Sequence, residues 1–262
     1  MSQYKNIKYQ KEDQTALITI NRPEVYNAMN ADTKMEIVLA IRDANKSSEV
    51  LSIILTGEGK AFTTGQDLND RSVQANNGGV DLGTTLETEW NPLINSIRDS
   101  KKIVIAAING VCAGAGVSVA VACDLLVSKP NVKFVGAFSK LGLAPDAGST
   151  YIFSRALGYQ KTMEFFLMGE ALMSEDLHKA GIINAINEDV LFIAKQYAQA
   201  INKLSPLSCE MIKKNIKASL DSSFTQSMER ETQVQRYLGK SADYKEGLTA
   251  FLEKRSPIFT GQ

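Results

Sequence analysis

The feature that most constrains this chain is an apolar, β-branched run that ends abruptly in glycine and alanine. Residues 103–108 (Ile-Val-Ile-Ala-Ala-Ile) predict a buried strand, which breaks at Asn109 and Gly110. The chain then passes through Ala-Gly-Ala-Gly at 113–116 into an apolar segment of small residues at 117–122. Small residues at a strand-to-helix junction let a ligand approach the backbone, and the first N–H groups of the helix remain available to an anionic oxygen.

The same succession of strand, turn and helix occurs three times, with strands that begin near Ala16, Val50 and Ile103. Repeated βα units with buried strands imply an α/β fold, in which helices cover a mostly parallel sheet. The spacing between the units is too irregular for a solenoid. The last third of the chain has a helical pattern throughout. We therefore predict an α/β core over residues 1–187 and a helical region over residues 188–262.

Charge, hydropathy and cysteine usage exclude several classes of protein. The 262 residues carry 29 basic and 29 acidic side chains, and this balance argues against a nucleic-acid partner. The N-terminal residues are polar and no apolar run is long enough to span a membrane, so we expect a cytoplasmic protein without a membrane partner. Three cysteines without CxxC spacing and one histidine argue against a disulfide framework, a metal site and a His-based triad.

Two segments outside the strands have opposite character. Residues 30–45 place apolar side chains at helical spacing and predict an amphipathic helix. Residues 69–87 are polar, contain glycine and have no period, so we predict a mobile loop that shapes the substrate site.

A second turn of small residues resembles the Ala-Gly turn in position. Thr-Gly-Gln-Asp at 64–67 follows a buried strand, as residues 113–116 do. If the two turns meet, the N–H groups of Gln66 and Ala115 form an oxyanion hole. Each such donor can stabilise a transition state with charge on oxygen by roughly 3–4 kcal/mol. The alternative is that small residues only permit close packing of strand and helix, and the pattern by itself leaves both interpretations open.

Acidic side chains are scarce in the central part of the chain. Between Lys101 and Met163 the only acids are Asp124 and Asp146. Asp146 precedes a predicted helix, so it either caps that helix or, among apolar neighbours, has a raised pKa and acts as a general base. We expect Asp124 to be structural, and likewise Asp67, which follows the proposed oxyanion residue.

Several short motifs, taken in order, resemble the crotonase family, also called the enoyl-CoA hydratase/isomerase superfamily. They lie at residues 21–23 with 27–30, 62–68, 108–116, 122–124, 143–148 and 246–255, and so extend over nearly the whole chain. The resemblance implies a spiral of ββα repeats with a C-terminal helical trimerisation region, assembled as a homotrimer or a dimer of trimers. It also implies acyl-CoA thioester substrates, so that coenzyme A enters as part of the substrate and no separate cofactor is expected.

The resemblance also implies which residues bind the substrate. The thioester oxygen would accept from the N–H groups of Gln66 and Ala115, which answers the charge that an enolate carries on that oxygen. The remaining contacts with the coenzyme A and acyl parts are expected from five residues, namely Val25, Thr64, Leu68, Gly114 and Phe138.

The chain departs from the family pattern at the acids. The two positions that hold glutamates in hydratases of the family are Ser118 and Phe138 here, and neither side chain can transfer the proton that water addition requires. Asp146 stands where isomerases of the family carry an acid. We therefore predict an acyl-CoA isomerase with Asp146 as the proton shuttle.

Two kinds of substrate and two other functions stay open. Pro-Asp-Ala-Gly at 145–148 is similar to the ring-epoxide isomerases of phenylacetate breakdown, and residues 138–142 are similar to Δ3-Δ2-enoyl-CoA isomerases. One alternative is hydration or thioester hydrolysis, supported by an acid from the 69–87 loop, such as Asp81 or Glu87. The other is a catalytically silent acyl-CoA-binding protein.

Overall fold

The structure, a computed structural model, describes residues 4–70 and 81–262. The strands are β1 (Ile7–Glu12), β2 (Thr15–Ile20), β3 (Ser52–Gly57), β4 (Ala61–Thr63), β5 (Ile103–Ile108), β6 (Val111–Ala113), β7 (Leu125–Ser128), β8 (Lys133–Val135), β9 (Ala171–Met173) and β10 (Ala185–Ile186). The helices are α1 (Ala31–Lys46), α2 (Leu82–Thr85), α3 (Asn91–Arg98), α4 (Ala115–Ala122), α5 (Ser149–Met168), α6 (Ser174–Lys179), α7 (Val190–Ile201), α8 (Pro206–Ser219), α9 (Phe224–Leu238) and α10 (Ala242–Glu253). Short 3-10 turns occupy Pro23–Val25 and Ser139–Leu141, and a π-helical turn occupies Leu86–Trp90.

Within the described ranges the strands form a six-stranded and a four-stranded sheet. The larger sheet has the order β1-β2-β3-β5-β7-β10, and its strands are parallel except for β1, which runs antiparallel to β2. The smaller sheet has the order β4-β6-β8-β9, with β9 antiparallel to β8.

Three successive ββα units generate this arrangement. In the pairs β3–β4, β5–β6 and β7–β8, the first strand joins the larger sheet and the second joins the smaller one. The helices that follow the pairs are α2 and α3, then α4, then α5. The predicted α/β fold with a crotonase-like spiral of ββα repeats is confirmed.

The hydrophobic core lies on both faces of the larger sheet. On one face α7 buries Val190, Ala194 and Ala198 against apolar side chains of β2, β3, β5 and β7. On the other face α1, α3 and α4 join the main cluster of buried residues. Burial on both sides explains why the strand at Ile103–Ile108 is apolar at every position. The helix α7 lies after residue 187, yet it packs directly on the larger sheet. The division into a core over residues 1–187 and a helical region over residues 188–262 stays a prediction.

The 69–87 segment differs from its prediction. Residues 71–80 lie outside the described residues, but Leu82–Thr85 and Leu86–Trp90 are helical, so the loop prediction is wrong there. The Asp81 carboxylate starts this helix by accepting the N–H groups of Gly83 at 2.9 Å and Thr84 at 3.3 Å. The helical turns have few buried side chains, and therefore the sequence shows no apolar period.

Candidate functional site

The two turns of small residues meet at the N-terminus of α4. Gly65 has φ +86°, and a Cβ there would lie 2.9 Å from both the Ala113 carbonyl oxygen and the Ala115 nitrogen. A Cβ at Gly116 would lie 2.5 Å from the carbonyl oxygen of Thr63. No side chain fits at either position, because the backbone of one turn lies directly against the backbone of the other.

This contact leaves two main-chain N–H groups without a protein acceptor within residues 4–70 and 81–262. A bridge between Met29 and Gln66 is closed by the N–H of Met29 to Gly65 O at 2.7 Å and by the N–H of Asp67 to Met29 O at 3.0 Å. The N–H of Gln66 takes no part in that bridge. Ala115 is the first residue of α4, so its N–H has no acceptor inside the helix. Two free main-chain N–H donors are the kind of group that binds an anionic oxygen.

Asp146 lies at the same end of α4. Its carbonyl oxygen accepts from the Ser118 hydroxyl at 3.1 Å, and Ser118 lies one helical turn after Ala115. The same oxygen accepts from the Ser149 N–H at 3.0 Å and from the Ser149 hydroxyl at 2.9 Å. The main chain of Asp146 is therefore fixed by three hydrogen bonds.

The side chain of Asp146 is left without such bonds. Its Oδ1 atom is buried and has no hydrogen-bond partner in the described part of the chain. The carboxylate does not cap α5, because the N-cap residue is Gly148 and no side chain bonds to that helix end. The helix-cap interpretation of Asp146 is therefore wrong, and the geometry favours an acid/base group.

Strained backbone holds this carboxylate in place. Ala147 is buried and has φ +50°, in the left-handed region that costs an alanine about 1–2 kcal/mol. Backbone strain of this kind persists where the surrounding structure over-determines it, and it is common at functional sites. In this protein the strained residue is the buried Ala147, which directly follows Asp146 in the chain.

Burial sets the protonation of Asp146. Loss of solvent raises the pKa of the Asp146 carboxyl to about 6, and the nearby positive charge of Lys34 opposes this rise. Burial also lowers the pKa of the Lys34 amine, against the effect of the Glu89 carboxylate. A carboxyl group with a pKa near 6 is ionised at neutral pH and still accepts a proton readily, which suits a general base.

Ser118 and Phe138 stand at the two positions that are expected to hold glutamates in hydratases of the crotonase family. Neither side chain is an acid. Ser118 is buried in α4 and positions the main chain of Asp146. Phe138 is buried, and its ring packs edge-on against Phe166 with centroids 6.1 Å apart. Phe138 thus belongs to the core beside the 3-10 turn, and its contact with substrate remains a prediction.

The other predicted binding residues cluster around the Thr64 turn. The Thr64 hydroxyl donates to the carbonyl oxygen of Tyr26 at 3.3 Å, which joins this turn to the half-buried Val25. A Cβ at Gly114 would lie 3.6 Å from the Thr64 carbonyl oxygen. Leu68 is 61% exposed at the outer edge of the turn. The structure brings these residues to one region, and their role in binding substrate stays a prediction.

The remaining acids have the structural contacts that the sequence predicted for Asp67 and Asp124. Asp67 pairs with Arg22 at 2.9 Å and accepts the N–H of Asn69 at 3.0 Å. Asp124 pairs with the buried amine of Lys213 at 2.7 Å and accepts the N–H of Val104 at 2.8 Å. Neither acid is available for proton transfer.

Both acids named for a hydratase lie at the protein surface. Asp81 is exposed, and its hydrogen bonds at the start of α2 lower the pKa of its carboxyl. Glu87 is exposed as well.

Sequence reasoning missed a buried polar cluster behind the Gln66 turn. It consists of Lys34, Gln66, Glu89 and Trp90, and we call it the Lys34 cluster. Lys34 lies on the same face of α1 as the buried Ile37 and three residues before it. This spacing was the available signal, because residues three apart share a helix face.

No helix in the described ranges is both long and apolar enough to cross a membrane.

Comparisons with known proteins give the family. The sequence model of the Enoyl-CoA hydratase/isomerase family matches residues 10–262. The chain is 37% identical to the 1,2-epoxyphenylacetyl-CoA isomerase of Escherichia coli over 94% of both chains, and 37% identical to a probable enoyl-CoA hydratase of Rhodobacter capsulatus over 99% of both. Its fold matches the crystal structure of an enoyl-CoA hydratase from Polaromonas sp. JS666 with a TM-score of 0.91 and 32% identity, covering 97% of this chain and 99% of that one. The chain therefore belongs to the enoyl-CoA hydratase/isomerase family, as the motifs and the ββα spiral indicate.

Proposed function

We propose that the protein is an acyl-CoA isomerase in which Asp146 moves a proton between two carbon atoms of the acyl group. The observation that carries the proposal is the Asp146 carboxyl, whose Oδ1 is buried and has no partner in the described part of the chain, while the main chain of Asp146 is bonded to Ser118 of α4. A single carboxylate suffices for a 1,3-proton shift. Water addition requires further proton transfer, for which Ser118 and Phe138 are unsuited.

The proposed reaction begins with the Asp146 carboxylate, which removes a proton from C2 of a 3-enoyl thioester. The electron pair of the broken C–H bond moves through the carbonyl group, and negative charge develops on the thioester oxygen. That oxygen accepts from the N–H groups of Gln66 and Ala115. The protonated Asp146 then returns its proton to C4 as the enolate collapses, which gives the 2-enoyl thioester with no net gain of atoms.

A ring-epoxide thioester is the second substrate class for the same site. The similarity to the E. coli 1,2-epoxyphenylacetyl-CoA isomerase supports it, and with it a place in phenylacetate catabolism. In both classes the substrate and the product are isomers, and the thioester oxygen is the atom that the main-chain donors hold.

Isotopes in the solvent separate isomerase from hydratase. The purified protein is incubated in water enriched in 18O with a 3-enoyl-CoA, a 2-enoyl-CoA and a ring-epoxide thioester. We expect products of unchanged oxygen content, and Asp146→Asn is expected to lower kcat by about a thousandfold while substrate affinity persists. Incorporation of solvent oxygen would identify hydration of the double bond or hydrolysis of the thioester instead. Thermal stabilisation by acyl-CoA without turnover would identify a binding protein.

The proposal extends to assembly as a homotrimer or a dimer of trimers through the helical region. Large apolar side chains are exposed along the last third of the chain, which is typical of an interaction surface. Those on or next to α9 and α10 are Phe224, Met228, Leu248, Phe251, Leu252 and Ile258.

A further inference from the structure

Lys34 occupies an unfavourable position for a cation. It lies in the first turn of α1 and is 1% exposed, although a positive charge near a helix N-terminus costs roughly 0.3–1 kcal/mol. Removing an ammonium group from water costs several kcal/mol more unless it is paired. A residue with two such costs is expected to have compensating contacts.

The contacts of Lys34 lead to the Gln66 turn. Its amine lies 2.5 Å from Glu89 Oε2, donates to Gln66 Oε1 at 2.8 Å and lies 4.7 Å from the centre of the Trp90 ring. Glu89 and Trp90 are consecutive residues of the π-helical turn. π-Helical turns are rare in proteins overall, but many of those that do occur lie at functional sites.

The side chain of Gln66 is bonded at both ends of its amide. Oε1 accepts from Lys34 and also from the Trp90 indole N–H at 2.9 Å. Nε2 donates to the carbonyl oxygen of Asp67 at 3.1 Å. These bonds fix the side chain of the residue whose N–H is a proposed oxyanion donor, in addition to the bridge between Met29 and Gln66.

The charge of Lys34 reaches the proposed proton shuttle as well. The carboxylates that act on the Lys34 amine are Glu89 from the π-helical turn, Asp70 from the segment after Gln66, and Asp146 from the loop before α5. For Asp146, the charged group that acts on it is Lys34. One buried cation is therefore coupled both to the proposed base and to a proposed oxyanion donor.

We infer that Lys34 is a positioning residue of this site, which fixes the side chain of Gln66 by a hydrogen bond and supplies the positive charge that acts on Asp146. The inference rests on the proposed function. During the proposed reaction, negative charge moves from Asp146 to the thioester oxygen. Lys34 acts on the first of these groups by its charge, and on the second through the side chain of Gln66, the residue whose N–H is the proposed donor.

The test compares Lys34→Met, Lys34→Arg and the double variant Lys34→Met/Glu89→Gln. The double variant matters because Lys34→Met alone leaves the Glu89 carboxylate buried without its cation and can fail to fold. Lys213→Met/Asp124→Asn is the matched control, since Lys213 is also a buried lysine paired with a carboxylate, Asp124.

The first readout is the titration of Asp146 in the resting protein, followed by 13C NMR of aspartate carboxyl groups and assigned with Asp146→Asn. We expect a higher Asp146 pKa in both variants that lack Lys34, an unchanged one in Lys213→Met/Asp124→Asn, and near-normal behaviour in Lys34→Arg. The second readout is kcat at pH 6, which we expect to fall about tenfold without Lys34 and to recover in part at pH 8.

An Asp146 titration in Lys34→Met/Glu89→Gln identical to that of the unmodified protein would overturn the inference. The two proposals fail separately. If the unmodified protein shows no isomerase turnover but the Asp146 pKa rises when Lys34 is removed, the proposed function fails and the electrostatic coupling stands. If turnover is present and the titration does not change, only the role of Lys34 fails.

Discussion

Asp146 combines a firmly held main chain with a carboxyl group that has few partners. Three hydrogen bonds fix its carbonyl oxygen, and a strained Ala147 follows it, whereas Oδ1 is buried and unpaired in the described part of the chain. An unpaired buried carboxylate lowers stability, and general bases commonly carry this cost. The proposed role of Asp146 in proton transfer requires such an arrangement, which lowers the stability of the folded state.

The raised pKa of Asp146 predicts how activity and stability depend on pH. Because the base must be ionised, we expect kcat/KM to fall below pH 6, the approximate pKa of Asp146. The folded-state pKa lies above the value of an unfolded aspartate, so ionisation destabilises the folded state as the pH rises from about 4 to about 6. Asp146→Asn is thus expected to raise the free energy of unfolding by about 1–3 kcal/mol at pH 8 and not at pH 4.

Urea unfolding of both proteins at the two pH values measures this difference. Equal effects of Asp146→Asn at pH 4 and pH 8 would contradict the assignment of the raised pKa to Asp146.

At the level of the elements, the sequence predicted what burial and backbone geometry impose. The strand at Ile103–Ile108 has the bounds that its apolar run indicated, and residues 30–45 form α1 within one residue at each end. The strands of the smaller sheet were missed because each of the four has three residues, too few for a period. The turns at 64–67 and 113–116 were recognisable because only small residues permit such close backbones.

The Lys34 cluster was not predictable in the same way. A lysine in an amphipathic helix ordinarily lies in solvent, and its partners Gln66 and Glu89 are far away in sequence. Only tertiary packing brings α1 and the π-helical turn together behind Gln66. Because the sequence analysis assigned residues 69–87 to a loop, it did not predict the π-helical turn that carries Glu89 and Trp90, the partners of Lys34.

The contact between the two turns predicts a selective effect of a single methyl group. Gly65→Ala is expected to lower stability by about 2 kcal/mol or more and to lower kcat, because the new Cβ meets backbone atoms at 2.9 Å as well as adopting a positive φ. Gly181→Ala is the control, since Gly181 has φ +79° and open space around the Cβ position. That variant is expected to lose only about 1 kcal/mol and to keep its turnover. Equal losses in both variants would show that the turns are not in contact.

At the scale of the whole molecule, the helical region has a surface that a single chain leaves uncovered. Phe224 and Phe251 are each 80% exposed in the described structure, and exposed apolar groups of this size are uncommon unless a partner covers them. Self-association by closed symmetry is the commonest way to cover such a surface. This argument supports self-association of the chain, and assembly as a trimer stays a proposal.

We expect light scattering after size exclusion to give the mass of three or six chains of 28.6 kDa. Phe251→Asp is expected to lower that mass without loss of helical circular dichroism, because it places a charge in the proposed contact. A monomer at micromolar concentration in the unmodified protein would contradict the assembly.

The ββα spiral has a consequence for how this site divides its tasks. Gln66 follows the strands of the first unit, Ala115 those of the second and Asp146 those of the third. In the proposed mechanism, the stacking of the first two units sets the positions of the two donors to the thioester oxygen, whereas the acid belongs to the loop of the third unit. An exchange confined to that third loop would redirect the chemistry and leave the anchoring of the substrate untouched.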